Sequence, residues 1–339
     1  MAMQIREPVL LTGAGFTRNF GGFLANQMWD KVFNHEQVQH YPSLVNLLKD
    51  NFDFESVYNE VMDGNGYPPE VQMALRQAVK NAYDQLDDAT RNYWGSSAYI
   101  SLASQPLVNW QGFSKLLEHF ASEGEARGYI FTLNQDLFVE RWHSGDKKLL
   151  RILSMTPGVD FKGKTPWSWL RGGELTPEYY FQAPSNPTEV PEGISNLLYY
   201  VKLHGSMNWK SSDGRDLMVI GGNKPAQIHR EKLLQWYFDL FQEGLSCPNR
   251  RLLVIGYGFR DLHINAVIAQ SIRQYGLKLY IIAPKSPEDF KKELLRDGDE
   301  DKKTLWQGLT RYWNRELKDV CPANQSYFAE DIRRTIFLK

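Results

Sequence analysis

The chain has 339 residues, with 39 lysines and arginines against 40 aspartates and glutamates and a formal net charge of −1. Without a basic excess it lacks the electrostatic signature of a free-standing nucleic-acid binder, and at 42% hydrophobic and 23% charged residues it is neither disordered nor built from low-complexity repeats. The only cysteines, Cys247 and Cys321, make neither a four-cysteine zinc ribbon nor a disulfide framework, so a reducing, cytoplasmic setting is expected.

At the N-terminus, residues 1–7 place charges ahead of a five-residue apolar stretch too short for a signal-peptide core, and no run approaches ~20 apolar residues, so no membrane span is expected. Pro8-Val9-Leu10-Leu11-Thr12 is a short apolar run that stops at Gly13-Ala14-Gly15, the pattern of a buried parallel strand entering a tight turn. Comparable runs, rich in β-branched or aromatic residues, follow at 129–133, 198–203, 251–255 and 277–282. Five such runs alternating with helical stretches predict one doubly wound parallel sheet of α/β class, Rossmann-like in kind.

Residues 34–125 carry almost no strand signal, but apolar positions recur at helical spacing, as in Leu44, Leu47 and Leu48 or Val71, Leu75, Val79 and Tyr83, which predicts a large helical insertion placed as a cap beside the strand ends. Between Gly145 and Asn196 the texture turns to Pro, Gly, Trp and Ser, an irregular excursion with short strands. Pro284–Lys303 holds 6 basic and 7 acidic residues; mixed signs fit a solvated helix rather than a nucleic-acid tail. Trp306, Leu309, Tyr312, Trp313, Ile336 and Phe337 near the C-terminus are either core or part of a docking face.

Four sites lie at predicted strand ends. Gly13-Ala14-Gly15-Phe16-Thr17 lets the backbone approach a phosphate where the next helix offers unpaired N–H groups, although Arg18 stands where a dinucleotide fingerprint places its third glycine. In Thr132-Leu133-Asn134-Gln135-Asp136, Asn134 has the donor and acceptor needed to hold a ribose hydroxyl or a water, while helix capping alone would account for Asp136. His204, followed by Gly205, is placed to titrate near neutrality and suits a general base. Gly256-Tyr257-Gly258 offers a second close approach, with Asp261 as a cap or a ribose ligand.

In this order the four elements resemble the sirtuin family, with its Gly-Ala-Gly-x-Ser/Thr, Thr-Gln-Asn-x-Asp, His-Gly and late Gly-Thr-Ser elements. Lys202-Leu203-His204-Gly205-Ser206-Met207-Asn208-Trp209 and Gly256-Tyr257-Gly258-Phe259-Arg260-Asp261-Leu262-His263-Ile264-Asn265 look most like divergent bacterial sirtuin-like proteins of antiphage defence. Two departures matter: the four zinc cysteines of protein-deacylating sirtuins are absent, and Asn19-Phe20-Gly21-Gly22-Phe23 replaces their Asp-Phe-Arg segment. The resemblance implies a sirtuin-like NAD-binding core at 1–33 and 126–283, the insertion at 34–125 and a C-terminal helical segment at 284–339. It also implies hydrolysis of NAD to ADP-ribose and nicotinamide, with Asn134, His204 and Asp136 catalytic and Gly13, Ala14, Gly15, Phe16, Thr17, Gly256, Tyr257, Gly258 and Asp261 holding NAD. No metal or zinc and no cofactor beyond NAD as substrate is expected. By the same resemblance the chain works as a homo-oligomer, or with a partner defence protein such as an ATPase or a nucleotide-processing subunit, since it has no P-loop of its own. The alternatives are an NAD or ADP-ribose sensor without turnover and, less favoured, a protein deacylase.

Overall fold

The computed structural model describes residues 8–63, 66–97, 108–121, 127–143, 153–159, 170, 173–187 and 198–338. Ten strands form among them: β1 (Val9–Thr12), β2 (Gly128–Thr132), β3 (Leu153–Ser154), β4 (Phe181–Gln182), β5 (Leu198–Lys202), β6 (Gly205–Lys210), β7 (Asp216–Met218), β8 (Arg251–Ile255), β9 (Lys278–Ala283) and β10 (Leu309–Asn314). Seven make one parallel sheet in the order β10-β9-β8-β1-β2-β5-β3; β4, β6 and β7 make a small second sheet. All five runs read from sequence as sheet strands are strands of the main sheet.

The inner strands β1, β2, β5, β8 and β9 are mostly apolar on both sides because both faces of the sheet are covered. Leu10, Ile130, Tyr200, Leu253 and Ile282 point into one apolar cluster, which holds the helices of the insertion and the last two helices of the chain, Leu317–Val320 and Glu330–Ile336. Their neighbours Val9, Leu11, Phe131, Val201, Leu252, Val254 and Ile281 point into the other, against the helices Lys232–Leu245 and Leu262–Tyr275. This is the two-residue alternation of a strand, used here to fill two cores at once.

The chain leaves β1 toward β2 on one side and returns through β8 on the other, so the sheet reverses its winding at β1. In open α/β sheets ligands bind at such a switch point, beyond the carboxyl ends of the strands.

Residues 34–125 add no strand among the described residues; their helices include Pro42–Asp50, Phe54–Asp63 and the long Pro69–Ser97. The helical layer begins earlier than residue 34, because Ala25–Phe33 already belongs to it through its buried Met28 and Val32. Two contacts tie this layer to the strand ends. Arg141, on the helix Phe138–His143, clasps Asp87 of Pro69–Ser97 through Nε at 2.9 Å and Nη2 at 2.6 Å, and Tyr83 of the same long helix donates to Gln135.

The reading of 284–339 as helical needs one correction. Leu309–Asn314 pairs in parallel with β9 and widens the sheet past residue 283. As the outermost strand it is only partly covered and reads in sequence as mixed polar and aromatic, which hid it. Its aromatics are packed rather than free for docking: Trp313 stacks on Tyr280, Tyr312 meets Phe290, and Phe337 meets Phe120 and Phe328. The leader residues 1–7, and much of the 145–196 excursion apart from β3 and β4, lie outside the described residues. Among the described residues no helix is long and apolar enough to cross a membrane.

At the end of β5, Lys202 is 0% exposed and pairs with Glu140 Oε1 at 2.8 Å, with Glu140 at 2%; Lys202 also donates to the Asp136 carbonyl. Removing one member strands a buried charge, while removing both does not. Lys202→Met is therefore expected to lower unfolding free energy by about 3–5 kcal/mol, and Lys202→Met combined with Glu140→Leu to recover more than half of that loss in urea unfolding.

Candidate active site

Parallel register sets the site. Ile255, Thr12, Thr132 and Lys202 are consecutive partners across β8, β1, β2 and β5. One or two residues further along each strand lie Gly256, Gly13, Asn134 and His204. The four elements singled out in the sequence therefore form one row at the carboxyl edge of the sheet.

The two glycine turns are packed against each other. Gly13 N–H donates to Ile255 O at 3.2 Å and Gly15 N–H to Gly256 O at 2.8 Å. A Cβ on Gly256 would lie 2.0 Å from Phe16 N, and φ there is +70°, a region that side chains disfavour. These glycines are thus required by backbone meeting backbone, whatever ligand the edge takes. Ala14 and Gly258 face outward, and Gly15 and Gly256 are half-buried, whereas the Phe16 ring joins Phe20 and Phe113 in the core. Tyr257 also turns inward. Its hydroxyl donates to Asn265 Oδ1 at 3.0 Å and accepts from Asp261 N at 3.1 Å, bracing the loop rather than facing the edge.

Asn134, Thr17 and Asp136 form a directed chain. The Asn134 amide donates to Gly13 O at 3.0 Å and to Thr17 Oγ1 at 2.5 Å, and the Thr17 hydroxyl donates to Asp136 Oδ2 at 2.9 Å. Since the Thr17 proton is committed to the carboxylate, its oxygen can only accept from Asn134. The side-chain amide is thereby fixed with its NH₂ inward and Oδ1 turned away from both acceptors. Asp136 also accepts from Phe138 N at 3.0 Å, so it serves the helix start and the hydroxyl at once. Burial pushes its carboxyl up, against the pull of Lys202 and of these hydrogen bonds.

His204 sits on the next strand end. Gly205 follows at φ +73°, and a Cβ there would lie 2.1 Å from Leu217 O, so the turn behind the histidine admits only glycine. Gln135 holds the turn by donating to His204 O at 3.0 Å and Val219 O at 2.9 Å. The His204 ring is buried, with Nε2 3.1 Å from His263 Nε2. Burial pushes the His204 imidazole down to about 3 and that of His263 down to about 4, despite the nearby Asp261 carboxylate. Both rings are therefore neutral at pH 7, and the expectation that His204 titrates near neutrality is corrected: the strand end that carries it is enclosed rather than open, and burial lowers its proton affinity.

Asp261 heads the helix Leu262–Tyr275 without capping it by its side chain. It pairs instead with Lys224 at 2.7 Å, and Lys224 pairs with Glu55 of the insertion at 2.8 Å. Burial would raise the Asp261 carboxyl, but His204, Lys224 and His263 outweigh it and hold it below the usual range. His263, Lys224, Gln135, Tyr83 and Glu55 were not singled out as site residues from the sequence. His263 lay within the fourth motif, two residues past Asp261, and Gln135 within the second; Glu55 and Tyr83 have no local signal, being brought in by helix packing.

The SIR2-like domain family matches residues 129–307, more than half of the chain. The matched stretch begins at β2 and takes in Asn134, Asp136, His204 and Gly256–Asp261; the first glycine turn lies ahead of it. No match is found among curated proteins.

The neutral histidine pair carries a pH signature. An unfolded histidine binds a proton near 6.5 while folded His204 does not until far lower, so the unfolded state binds more protons between those values and stability falls as pH falls from 6.5. The raised carboxyls of Asp136, Glu140 and Glu55 pull the other way, so the difference between proteins is the observable. Urea unfolding stepped from pH 6.5 to 5 is expected to show the wild type losing up to about 1.4 kcal/mol per pH unit relative to His204→Asn. Equal slopes would contradict the buried neutral state.

Proposed function

The chain belongs to the SIR2-like family, and on that premise we propose that it is an NAD glycohydrolase, which cleaves NAD to nicotinamide and ADP-ribose. The observation that carries this reading is the directed chain from Asp136 through Thr17 to Asn134, which presents an amide oxygen at the switch point of the sheet. Cleaving the bond between nicotinamide and ribose sends its electron pair to the nicotinamide nitrogen and leaves positive character at C1′. Catalysis then needs a fixed ribose and a water held in line, which preorganised polar groups supply.

Asn134 Oδ1 accepts a hydrogen bond from that water or from a ribose hydroxyl. As the water oxygen bonds to C1′, His204, neutral at pH 7, takes its proton. Asp136 holds Thr17, and through it Asn134, in orientation. The outward backbone of Ala14 and Gly258, beside the half-buried Gly15 and Gly256, borders the space for the pyrophosphate and adenosine ribose, with Asp261 alongside. None of these steps calls for a metal. An enzyme that drains NAD endangers its own cell, so we assign it to antiphage defence, silent until a trigger from outside the chain, a partner protein or self-assembly, releases it.

Purified protein incubated with NAD is expected to release nicotinamide and ADP-ribose, slowly alone and faster with its activating partner. Asn134→Ala and His204→Ala are each expected to lose 10²–10⁴-fold in turnover, the range of positioning and general-base losses, while melting cooperatively. NAD binding without turnover in an activated preparation would replace this reading with a sensor, and near-normal turnover in His204→Ala would remove the base.

A further inference from the structure

His204 has one side-chain hydrogen-bond partner among the described residues, and that partner is another imidazole. We propose that His263 is the positioning residue of His204: it fixes the ring, couples the tautomers of the two histidines, and relays to solvent the proton that His204 takes up. This rests on the glycohydrolase reading and adds to it a residue and a proton route.

The geometry requires the coupling. At 3.1 Å between the two Nε2 atoms, one nitrogen must carry a hydrogen and the other a lone pair, so a choice of tautomer in one ring dictates that of the other. With Nε2 engaged, Nδ1 is the nitrogen of His204 left to meet substrate. The proton transfer balances: Nδ1 of His204 takes a proton from the attacking water, its Nε2 proton passes to Nε2 of His263, and His263 gives up its Nδ1 proton to solvent, which leaves both rings in the opposite tautomer; once products leave, the two rings exchange protons with solvent and return to the starting pair. The buried ring never keeps a charge. His263 is suited to the outer role because it is half-buried, whereas His204 is enclosed.

The surroundings supply the electrostatics. His263 lies in the first turn of Leu262–Tyr275, facing His204 from the turn after β5 and the Phe238 ring at 5.9 Å from the helix Lys232–Leu245. Asp261 on its own element favours a transient imidazolium, and Lys224 from Lys224–Arg230, tied to Glu55, opposes one. The net field from these groups, with burial, returns His263 to neutrality after each transfer.

The test compares wild type with His263→Gln, whose amide keeps one hydrogen bond to His204, and His263→Leu, which keeps none. In protein without NAD, imidazole ¹⁵N NMR is expected to show the tautomer of His204 changed in the leucine variant. In the glutamine variant the His204 titration should move up, because the cation that forms on His263 in acid no longer opposes it. With NAD, His263→Leu should lose about 10²-fold in kcat with little change in KM. His263→Gln should recover at least tenfold of that loss, with an acid limb at higher pH. Unchanged His204 tautomer and titration in both variants, or a uniform rate loss with no shift of the pH profile and no rescue, would overturn the positioning role, and complete rescue by glutamine, whose amide cannot pass on a proton, would overturn the relay. Should wild type release no nicotinamide, the glycohydrolase reading falls while the NMR comparison still decides the coupling. If the leucine variant does not fold, the glutamine variant alone decides through its titration.

Discussion

The site depends on one constraint, the parallel register that aligns Ile255, Thr12, Thr132 and Lys202 across four adjacent strands. Parallel strands point their carboxyl ends the same way, so every strand end in that row delivers its next residues to one edge. A slip of one residue would move both the apolar faces and the row, because the side chains of a strand alternate with a period of two. Two separate cores, one on each face, hold the register. The hydrophobic effect thus positions polar groups that contribute nothing to it.

Polar groups beneath the edge are arranged so that each one determines the next. Lys202, wholly buried, is held by Glu140 and in turn holds the Asp136 carbonyl; Asp136 directs Thr17, and Thr17 directs Asn134. Such a network is costly to bury and tolerable only when each donor finds an acceptor. The cost is offset by rigidity, since a side-chain amide with both faces open would otherwise flip freely. On the other side of the edge, Glu55, Lys224 and Asp261 link the insertion to the histidine pair, and Tyr83 reaches Gln135, which holds the His204 turn. A movement of the helical layer therefore has two direct routes to the His204 turn.

The sheet was legible in the sequence because buried parallel strands are written as unbroken apolar runs bounded by glycine or polar turns, and Val9–Thr12 and Arg251–Ile255 are plain cases. Leu309–Asn314 was not, since an edge strand faces solvent and carries Thr310, Arg311 and Asn314 like a loop. Asn134 and His204 were legible through their position at strand ends. Asp261 was readable as a cap or a ribose ligand, whereas its carboxylate meets Lys224, 37 residues away. His263 pairs with a residue 59 positions distant, and no local pattern encodes a contact that exists only after two strand ends and a helix start have been brought together.

A crystal structure of the His204→Ala protein with NAD tests the central claim most directly, because it asks whether the row of strand ends is where the dinucleotide lies. The account predicts the nicotinamide ribose beside Asn134, with C1′ facing its side-chain oxygen, and the pyrophosphate beside the turn from Gly13 to Thr17. Ordered NAD seated elsewhere on the chain, or an empty edge at millimolar NAD, would contradict it.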